Sequence, residues 1–312
     1  MTTKPLILQT EHLDAAPAAW LAERTELVAC KPSDPRFNDL LPKAHALVVR
    51  TYTRVDDALL SRATSLRCVG RAGVGLDNID VEACNRRNIK VVHTPDANTQ
   101  AVAEYTLCLL CDAFRPRTQL TQALSPENWS KARASHVAPR QLSELTIGVL
   151  GFGRIGSRVG QIASAVGAKV LYNDLRDIDA ASRHNASPVT LDELLSRSDV
   201  LTIHIDPRSS NRHFINAQRL QRCKSNLTLL NTSRGMVIDH AALAAFLKTN
   251  AAARGYLDVH DPEPIQQDNP LLTLPNAHLY PHLAAATATA QLNMSWVVRG
   301  VWESLERSER DK

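Results

Sequence analysis

One hexapeptide limits the possible folds more than any other part of the chain. Gly151-Phe152-Gly153-Arg154-Ile155-Gly156 directly follows an apolar run, Thr146–Leu150, and opens a segment whose Ile155, Val159, Ile162, Ala163 and Val166 share one helical face. A strand, a glycine turn and an amphipathic helix in that order begin a dinucleotide-binding βαβ unit. Gly151 makes the tight turn, Gly153 lets the backbone approach a pyrophosphate, and Gly156 lets the helix lie against the strand. The helix then turns its free amides and positive end toward the phosphates. Gly151, Gly153, Arg154, Ile155 and Gly156 are the cofactor-binding residues expected on this turn. Gly167 closes the helix, Lys169–Tyr172 reads as a second strand, and Asp174 stands at its end, about 20 residues past the glycines, where a carboxylate binds the adenosine ribose hydroxyls. That carboxylate repels a 2′-phosphate and favours NAD over NADP, with Arg176 close by acting in the opposite sense.

The rest of the chain repeats the same rhythm. Leu6–Leu8, Leu27–Ala29, Ala46–Val49, Leu66–Val69 and Lys90–Val92 are short apolar runs that read as buried parallel strands. A second series runs through Thr146–Leu150, Lys169–Tyr172, Val200–Ile203, Leu227–Leu230, Tyr256–Val259 and Ala277–Tyr280, with helix-length segments between. The reading is α/β, with two doubly wound parallel-sheet domains. At roughly 150 residues per domain, 312 residues also suggest two. Ala101–Phe114 reads as a long apolar helix, followed by a polar stretch, Arg115–Glu144, that contains Pro116, Pro126 and Pro139. Thr287–Leu305 reads as one terminal helix with Trp296, Val297, Val301 and Trp302 on its apolar face, and its return to the first unit would make that domain discontinuous. The expected boundaries are 1–97 with 288–312 for one domain and 98–287 for the other.

Charge and cysteine usage exclude several classes of function. A formal charge of +4, spread without a basic stripe, gives no footprint for nucleic acid. No apolar run approaches the roughly 18 residues of a membrane helix, and residues 1–9 lack the pattern of a secretory leader, so the expectation is a cytoplasmic protein. Cys30, Cys68, Cys84, Cys108, Cys111 and Cys223 lie scattered in hydrophobic contexts, which suits reduced, buried thiols. Cys108 and Cys111 form a CxxC inside the apolar helix, and with no second pair to complete a site they read as helix packing; no metal is expected.

Three residues at strand ends suit oxidation or reduction at a carbinol carbon. That chemistry needs a cation for an anionic substrate, a group that exchanges the hydroxyl proton, and a partner that tunes it. Arg234 lies in Asn231-Thr232-Ser233-Arg234-Gly235, and its planar fork suits a carboxylate. Glu263 lies in His260-Asp261-Pro262-Glu263-Pro264, where two prolines restrict the backbone around the carboxylate. His282, in Pro281-His282-Leu283, is an acid/base for near-neutral pH, and a carboxylate neighbour would raise its proton affinity and fix one tautomer.

Gly70-Arg71-Ala72-Gly73-Val74-Gly75-Leu76-Asp77-Asn78-Ile79-Asp80, the segment from Asn98 to Glu104, the glycine fingerprint, Asn231 to Gly235, Leu257-Asp258-Val259 through Glu263-Pro264, and Pro281-His282 occur in that order. In these motifs the chain resembles the D-isomer-specific 2-hydroxyacid dehydrogenase family, and within it the D-3-phosphoglycerate dehydrogenases, from about Leu47 to Ala290. The resemblance implies a Rossmann coenzyme domain inserted in a flavodoxin-like substrate domain, NAD as coenzyme, a small 2-hydroxy or 2-oxo acid as substrate, and a homodimer formed through the coenzyme domains. It further implies that Arg234 binds and polarises the substrate, that His282 is the general acid/base, and that Glu263 pairs with it. Asp258 would contact the nicotinamide carboxamide with Thr232 nearby, and His204 would join the cofactor site. The Arg71, Gly73, Val74, Gly75 loop would offer amides to the substrate carboxylate, closing over it as the domains come together. Arg50 and Arg71 suit either a substrate phosphate or surface ion pairs.

Several residues depart from the family pattern. Tyr256 and His260 replace the small and aromatic residues usual around Asp258, Ile205-Asp206-Pro207 alters the segment after His204, and Ala284-Ala285 follow His282 where glycine is common. These bear on substrate choice and cofactor geometry. The chain ends soon after its last helix, so the regulatory ACT-type domain of some relatives, with its serine feedback, is not expected. Two other readings stand beside the first: a glyoxylate or hydroxypyruvate reductase, with the same trio but no phosphate site, and a non-catalytic NAD-sensing binding protein like the family's corepressor relatives.

Overall fold

A computed structural model describes residues 4–115 and 117–310; residues 1–3, Pro116 and residues 311–312 lie outside the described residues. The chain divides into two compact units, Met1–Asn98 with Ala286–Lys312, and Thr99–Ala285.

The first unit holds strands β1 (Leu6–Gln9), β2 (Glu26–Ala29), β3 (Ala46–Val49), β4 (Cys68–Arg71) and β5 (Lys90–His93). They pair in parallel in the order β2-β1-β3-β4-β5, the flavodoxin-like arrangement. Side chains alternate across the sheet. Leu8, Leu47, Val49 and Val69 face a core with Phe37 and Leu41, while Ile7, Ala46, Val48 and Cys68 face Val297, Val298, Val301 and Leu305 of the C-terminal helix. The last segment therefore covers one face of a sheet made from the beginning of the chain, together with Leu13 and Leu21. Gly70 makes the approach possible, since a Cβ there would stand 2.3 Å from Val301 Cγ2.

That segment is two helices rather than the single one expected, Ala288–Ser295 and Val297–Arg310. The break follows Ser295, whose buried hydroxyl donates to Asp14 Oδ2 at 2.8 Å and accepts from the Asp14 amide at 3.1 Å. Leu66, expected to begin β4, instead closes the preceding turn by donating its amide to the Ala63 carbonyl, and the strand starts at Cys68.

The second unit contains β6 (Thr146–Leu150), β7 (Lys169–Asn173), β8 (Ser187–Pro188), β9 (Val200–Ile203), β10 (Thr228–Asn231), β11 (Arg254–Leu257) and β12 (Ala277–Leu279). All pair in parallel, in the order β12-β11-β10-β9-β6-β7-β8. Counted from β6, this is the doubly wound Rossmann order extended by one strand, with the direction of winding reversing between β6 and β9. The register sets Asn173, Leu150, Ile203, Asn231 and Leu257 side by side, so one edge of the sheet carries every strand's carboxyl end. In an open α/β sheet a ligand binds at that edge, beside the switch point.

Strand β11 begins two residues earlier than its apolar run implied, at Arg254, because that guanidinium donates to the Ala113 carbonyl at 2.6 Å and the charge is satisfied at the sheet's end. The polar stretch after the long helix Thr99–Phe114 contains a helix, Pro126–Ser135, capped by Ser125 and burying none of its side chains. Cys30, Cys68 and Cys84 are buried as expected, whereas Cys108 is exposed and Cys111 and Cys223 are half-buried; all six are free thiols. No described helix is long and apolar enough to cross a membrane, and no described group of three His, Cys, Asp or Glu side chains is placed to hold a metal ion.

Candidate active site

The residues that follow the strand ends of the second unit are Gly151, Asp174, His204, Thr232 and Asp258. All five were expected at the cofactor, and the common register brings them to one edge. At the fingerprint the chain turns with Gly151 at φ 86°, and a Cβ there would meet the His204 carbonyl carbon and oxygen at 2.9 Å. Gly156 is tighter, since its Cβ would stand 2.0 Å from the Gly151 carbonyl oxygen, so only glycine lets helix Arg154–Ala165 start this close to the strand. Around Gly153, by contrast, a Cβ would meet a single atom within 4 Å, Arg176 Nη2 at 3.9 Å, and no side chain caps the helix that Gly153 begins. Open space over a glycine, bordered by uncapped helix amides and a guanidinium, fits a pyrophosphate. Arg154 and Ile155 open the helix at that point.

Asp174 closes the other side of the turn. Its carboxylate accepts from the Phe152 amide at 2.7 Å and from the Arg176 amide and Nε at 2.9 and 3.1 Å. Burial would raise its pKa, but these bonds hold it below the ordinary carboxylate value, so a charged acceptor stands at the end of β7, where the sequence leads one to expect a ribose partner. The His204 ring, hydrogen-bonded to Thr202 Oγ1 at 2.8 Å, is driven by burial down to about 3 and stays neutral. Thr232 Oγ1 lies 3.3 Å from Thr106 Oγ1, beneath the centre of the edge.

The two residues expected to handle the proton are in contact. Glu263 Oε2 and His282 Nδ1 are 2.8 Å apart, and Glu263 Oε1 accepts from the His260 amide at 2.9 Å. Burial pushes the Glu263 carboxyl up, yet the His282 hydrogen bond and the His260 amide bring it below its usual value. With Nδ1 on the carboxylate, His282 keeps Nε2 for exchange with a substrate oxygen. His282 adopts φ 58°, an unfavourable conformation for a side chain with a Cβ, and the residues after it are held in place. Asp258, fully buried, accepts from the Leu283 amide with Oδ1 and from the Ala284 amide with Oδ2, both at 2.8 Å. Burial raises the Asp258 carboxyl against the pull of those amides. Its two oxygens thus anchor the loop that carries His282.

Arg234 is set by a local device that the sequence carried unread. Asn231 Oδ1 accepts from the Ser233 amide and hydroxyl at 3.0 and 2.8 Å, while Asn231 Nδ2 donates to the Arg234 carbonyl at 2.9 Å. An asparagine at a strand end with serine two residues on is an Asx-type turn signal. Gly235 then brings this turn against the Glu263 loop: a Cβ there would stand 1.9 Å from the His260 carbonyl carbon. Arg234, Glu263 and His282 therefore belong to three loops tied to one another at the ends of β10, β11 and β12.

The remaining expected residues lie in the first unit. Arg71 ends β4 opposite Val49, the residue before Arg50, so the two arginines stand on adjoining strand ends. The Arg71 guanidinium folds over the next turn, where a Cβ on Gly73 would lie 1.3 Å from its Nη1. The Val74 carbonyl accepts from or faces His93 Nδ1 at 2.9 Å, and Gly75 is half-buried in the same loop. Residues 50–53 turn all four amides onto Glu11, at 2.8 to 3.1 Å, an acidic clamp not anticipated from the sequence.

A parallel sheet in Rossmann order with a glycine turn fitted to a pyrophosphate defines a dinucleotide-binding fold, and Arg234, Glu263 and His282 sit on loops at the same edge. The chain matches the family model described as D-isomer specific 2-hydroxyacid dehydrogenase, NAD binding domain, over residues 107–284. It is 36% identical over 273 residues to a glyoxylate reductase of Aeropyrum pernix, covering 85% of this chain and 82% of that one. It is 35% identical over 259 residues to a D-3-phosphoglycerate dehydrogenase of Archaeoglobus fulgidus, covering 83% of this chain and 49% of the other, so it spans about half that relative's length. Among solved structures, a glyoxylate reductase from Paecilomyes thermophila superposes with a TM-score of 0.84 at 27% identity, over 99% of this chain and 97% of that one. The chain belongs to the D-isomer-specific 2-hydroxyacid dehydrogenase family and carries its NAD-binding domain.

Proposed function

We propose that this protein transfers a hydride between NAD and a D-2-hydroxy or 2-oxo acid, with the Thr99–Ala285 unit as coenzyme domain and the other unit as substrate domain. The observation that carries the reading is the 2.8 Å contact between Glu263 and His282 on the sheet edge that also bears the fingerprint turn. NAD supplies the hydride chemistry when bound. Gly151, Gly153, Arg154, Ile155 and Gly156 hold its phosphates, Asp174 its ribose, and His204, Thr232 and Asp258 line the edge toward the reacting end. In reduction, Arg234 binds the substrate carboxylate and polarises the 2-oxo group, while His282 Nε2 delivers a proton to the oxygen as the carbon gains the hydride. Glu263 stabilises the imidazolium before that transfer and fixes the ring.

For substrate, 3-phosphoglycerate comes first, because Arg50 and Arg71 on adjoining strand ends suit a phosphate. The Gly73, Val74, Gly75 loop offers amides to the carboxylate. A glyoxylate or hydroxypyruvate reductase is the second reading, favoured by Glu11, whose carboxylate already takes the amides of residues 50–53. Following nicotinamide absorbance with 3-phosphoglycerate, hydroxypyruvate and glyoxylate, with NAD and NADP coenzymes in turn, separates these. Turnover of the phosphorylated acid supports the first, turnover of only the small acids the second, and tight NAD binding without turnover on any of them would favour a sensing protein.

We also infer a cytoplasmic homodimer. The free, exposed Cys108 suits a reducing compartment. The arm after the long helix exposes Leu120, Trp129 and Val137 and buries no side chain of helix Pro126–Ser135, as an interface with a second copy would leave it. Light scattering of the purified chain tests this.

A further inference from the structure

His260 touches both elements that carry the acid/base pair, yet the reaction as proposed gives its side chain no part. Its backbone amide donates to Glu263 Oε1 at 2.9 Å, and its ring Nε2 stands 2.8 Å from the carbonyl oxygen of Tyr280, two residues before His282. A carbonyl only accepts, so Nε2 carries the ring proton. The Glu263–His282 contact completes a closed circuit through both loops.

The ring has its own support. With the proton on Nε2, His260 Nδ1 is an acceptor, and it is buried without a partner among the described residues. The neighbouring His240 ring lies 6.3 Å away, centroid to centroid, at 72°. Asn269 Oδ1 accepts from the Leu271 amide, which orients that side chain so that its Nδ2 donates to His240 Nδ1 at 3.0 Å. His240 therefore carries its proton on Nε2, which is likewise buried without a partner. A buried donor and a buried acceptor thus lie on adjoining rings, and the His240 ring packs edge-on against His260 from the helix His240–Thr249.

We propose that His260 is a positioning residue: its imidazole, backed by His240, holds the Tyr280–His282 loop where Glu263 can orient His282. The proposal rests on the reading of Glu263 and His282 as the acid/base pair. An aromatic residue in this place fills the space but offers no hydrogen to the carbonyl.

Two full-length variants test it. His260→Phe keeps a ring and removes the donor, while His260→Gln restores a donor that reaches Tyr280. Loosening the loop should lower kcat for 2-oxo acid reduction by roughly 10- to 100-fold in His260→Phe, with coenzyme affinity and Tm little changed, and His260→Gln should regain most of it. A second readout needs no substrate: the downfield proton resonance of His282 Nδ1–H, identified by its disappearance in His282→Ala, should persist in wild type and His260→Gln and vanish in His260→Phe. A His260→Phe protein that keeps the resonance and the wild-type kcat overturns the proposal, as does a His260→Gln protein that behaves like His260→Phe. Should wild type reduce none of the acids while the resonance still follows the donor, the reading of the reaction fails and the tether stands.

Discussion

Replacing Glu263 with glutamine keeps the side chain's shape and removes its charge. The amide oxygen can still accept from the His260 amide, now 2.9 Å from Oε1, but His282 Nδ1, 2.8 Å from Oε2, then faces a neutral group. A hydrogen bond to a charged group is worth roughly 1.5–3 kcal/mol. Here 38% of the histidine and 34% of the glutamate side chain are exposed, and solvent screening puts the value at the bottom of that range. About 1.4 kcal/mol is a factor of ten in a rate. The carboxylate is held below its ordinary value and so is charged throughout the neutral range. A charged acceptor holds the ring through Nδ1–H more firmly than a neutral amide can. In 2-oxo acid reduction, Glu263→Gln should therefore lose about tenfold in kcat/KM at neutral pH, with coenzyme affinity little changed. An unchanged kcat/KM would refute the pairing.

The parts of this protein that were legible in its sequence are those whose physics is local. Ala46–Val49, Thr146–Leu150 and Val200–Ile203 begin and end where their apolar runs do, because central strands of a parallel sheet are buried on both faces. Strand β8 is two residues, Ser187 and Pro188, on the sheet's edge, and an exposed edge demands no apolar run. Helix Pro126–Ser135 has no buried face to create a period, although Ser125 followed by Pro126 is a start signal that composition masked. The break after Ser295 depends on Asp14, 281 positions away, and no local pattern reports it. At the site, strand ends revealed Arg234, Glu263 and His282 as candidates, and the contact between the last two depends on register. What the sequence hid was the support around them. Asp258 was expected at the nicotinamide, and its two oxygens hold amides of the loop that carries His282.

Three further perturbations probe separate parts of the structure. Gly156→Ala would set a methyl 2.0 Å from the Gly151 carbonyl oxygen, with helix and strand both fixed, so the turn must open; NADH affinity by fluorescence titration should collapse, and an unchanged affinity would remove this turn as the coenzyme's seat. Asp174→Ala takes away the carboxylate that Arg176 now occupies, and the ratio of NADP to NAD affinity should rise; an unaltered ratio counts against the ribose role. Asp199→Asn tests stability apart from catalysis. This carboxylate, 12% exposed, accepts from the Thr146 amide and Lys224 Nζ, each at 2.8 Å, and pairs with Arg140. Burial raises its pKa, but those bonds hold it below the ordinary carboxylate value. A group with a lowered folded-state pKa contributes stability above its unfolded pKa and loses it as pH falls through the folded one. At neutral pH the variant should lose roughly 1–3 kcal/mol, seen as a lower Tm. The gap should narrow as pH drops below the carboxylate range, because wild type then gives up the same bonds; a gap independent of pH would mean that Asp199 acts through shape and not charge.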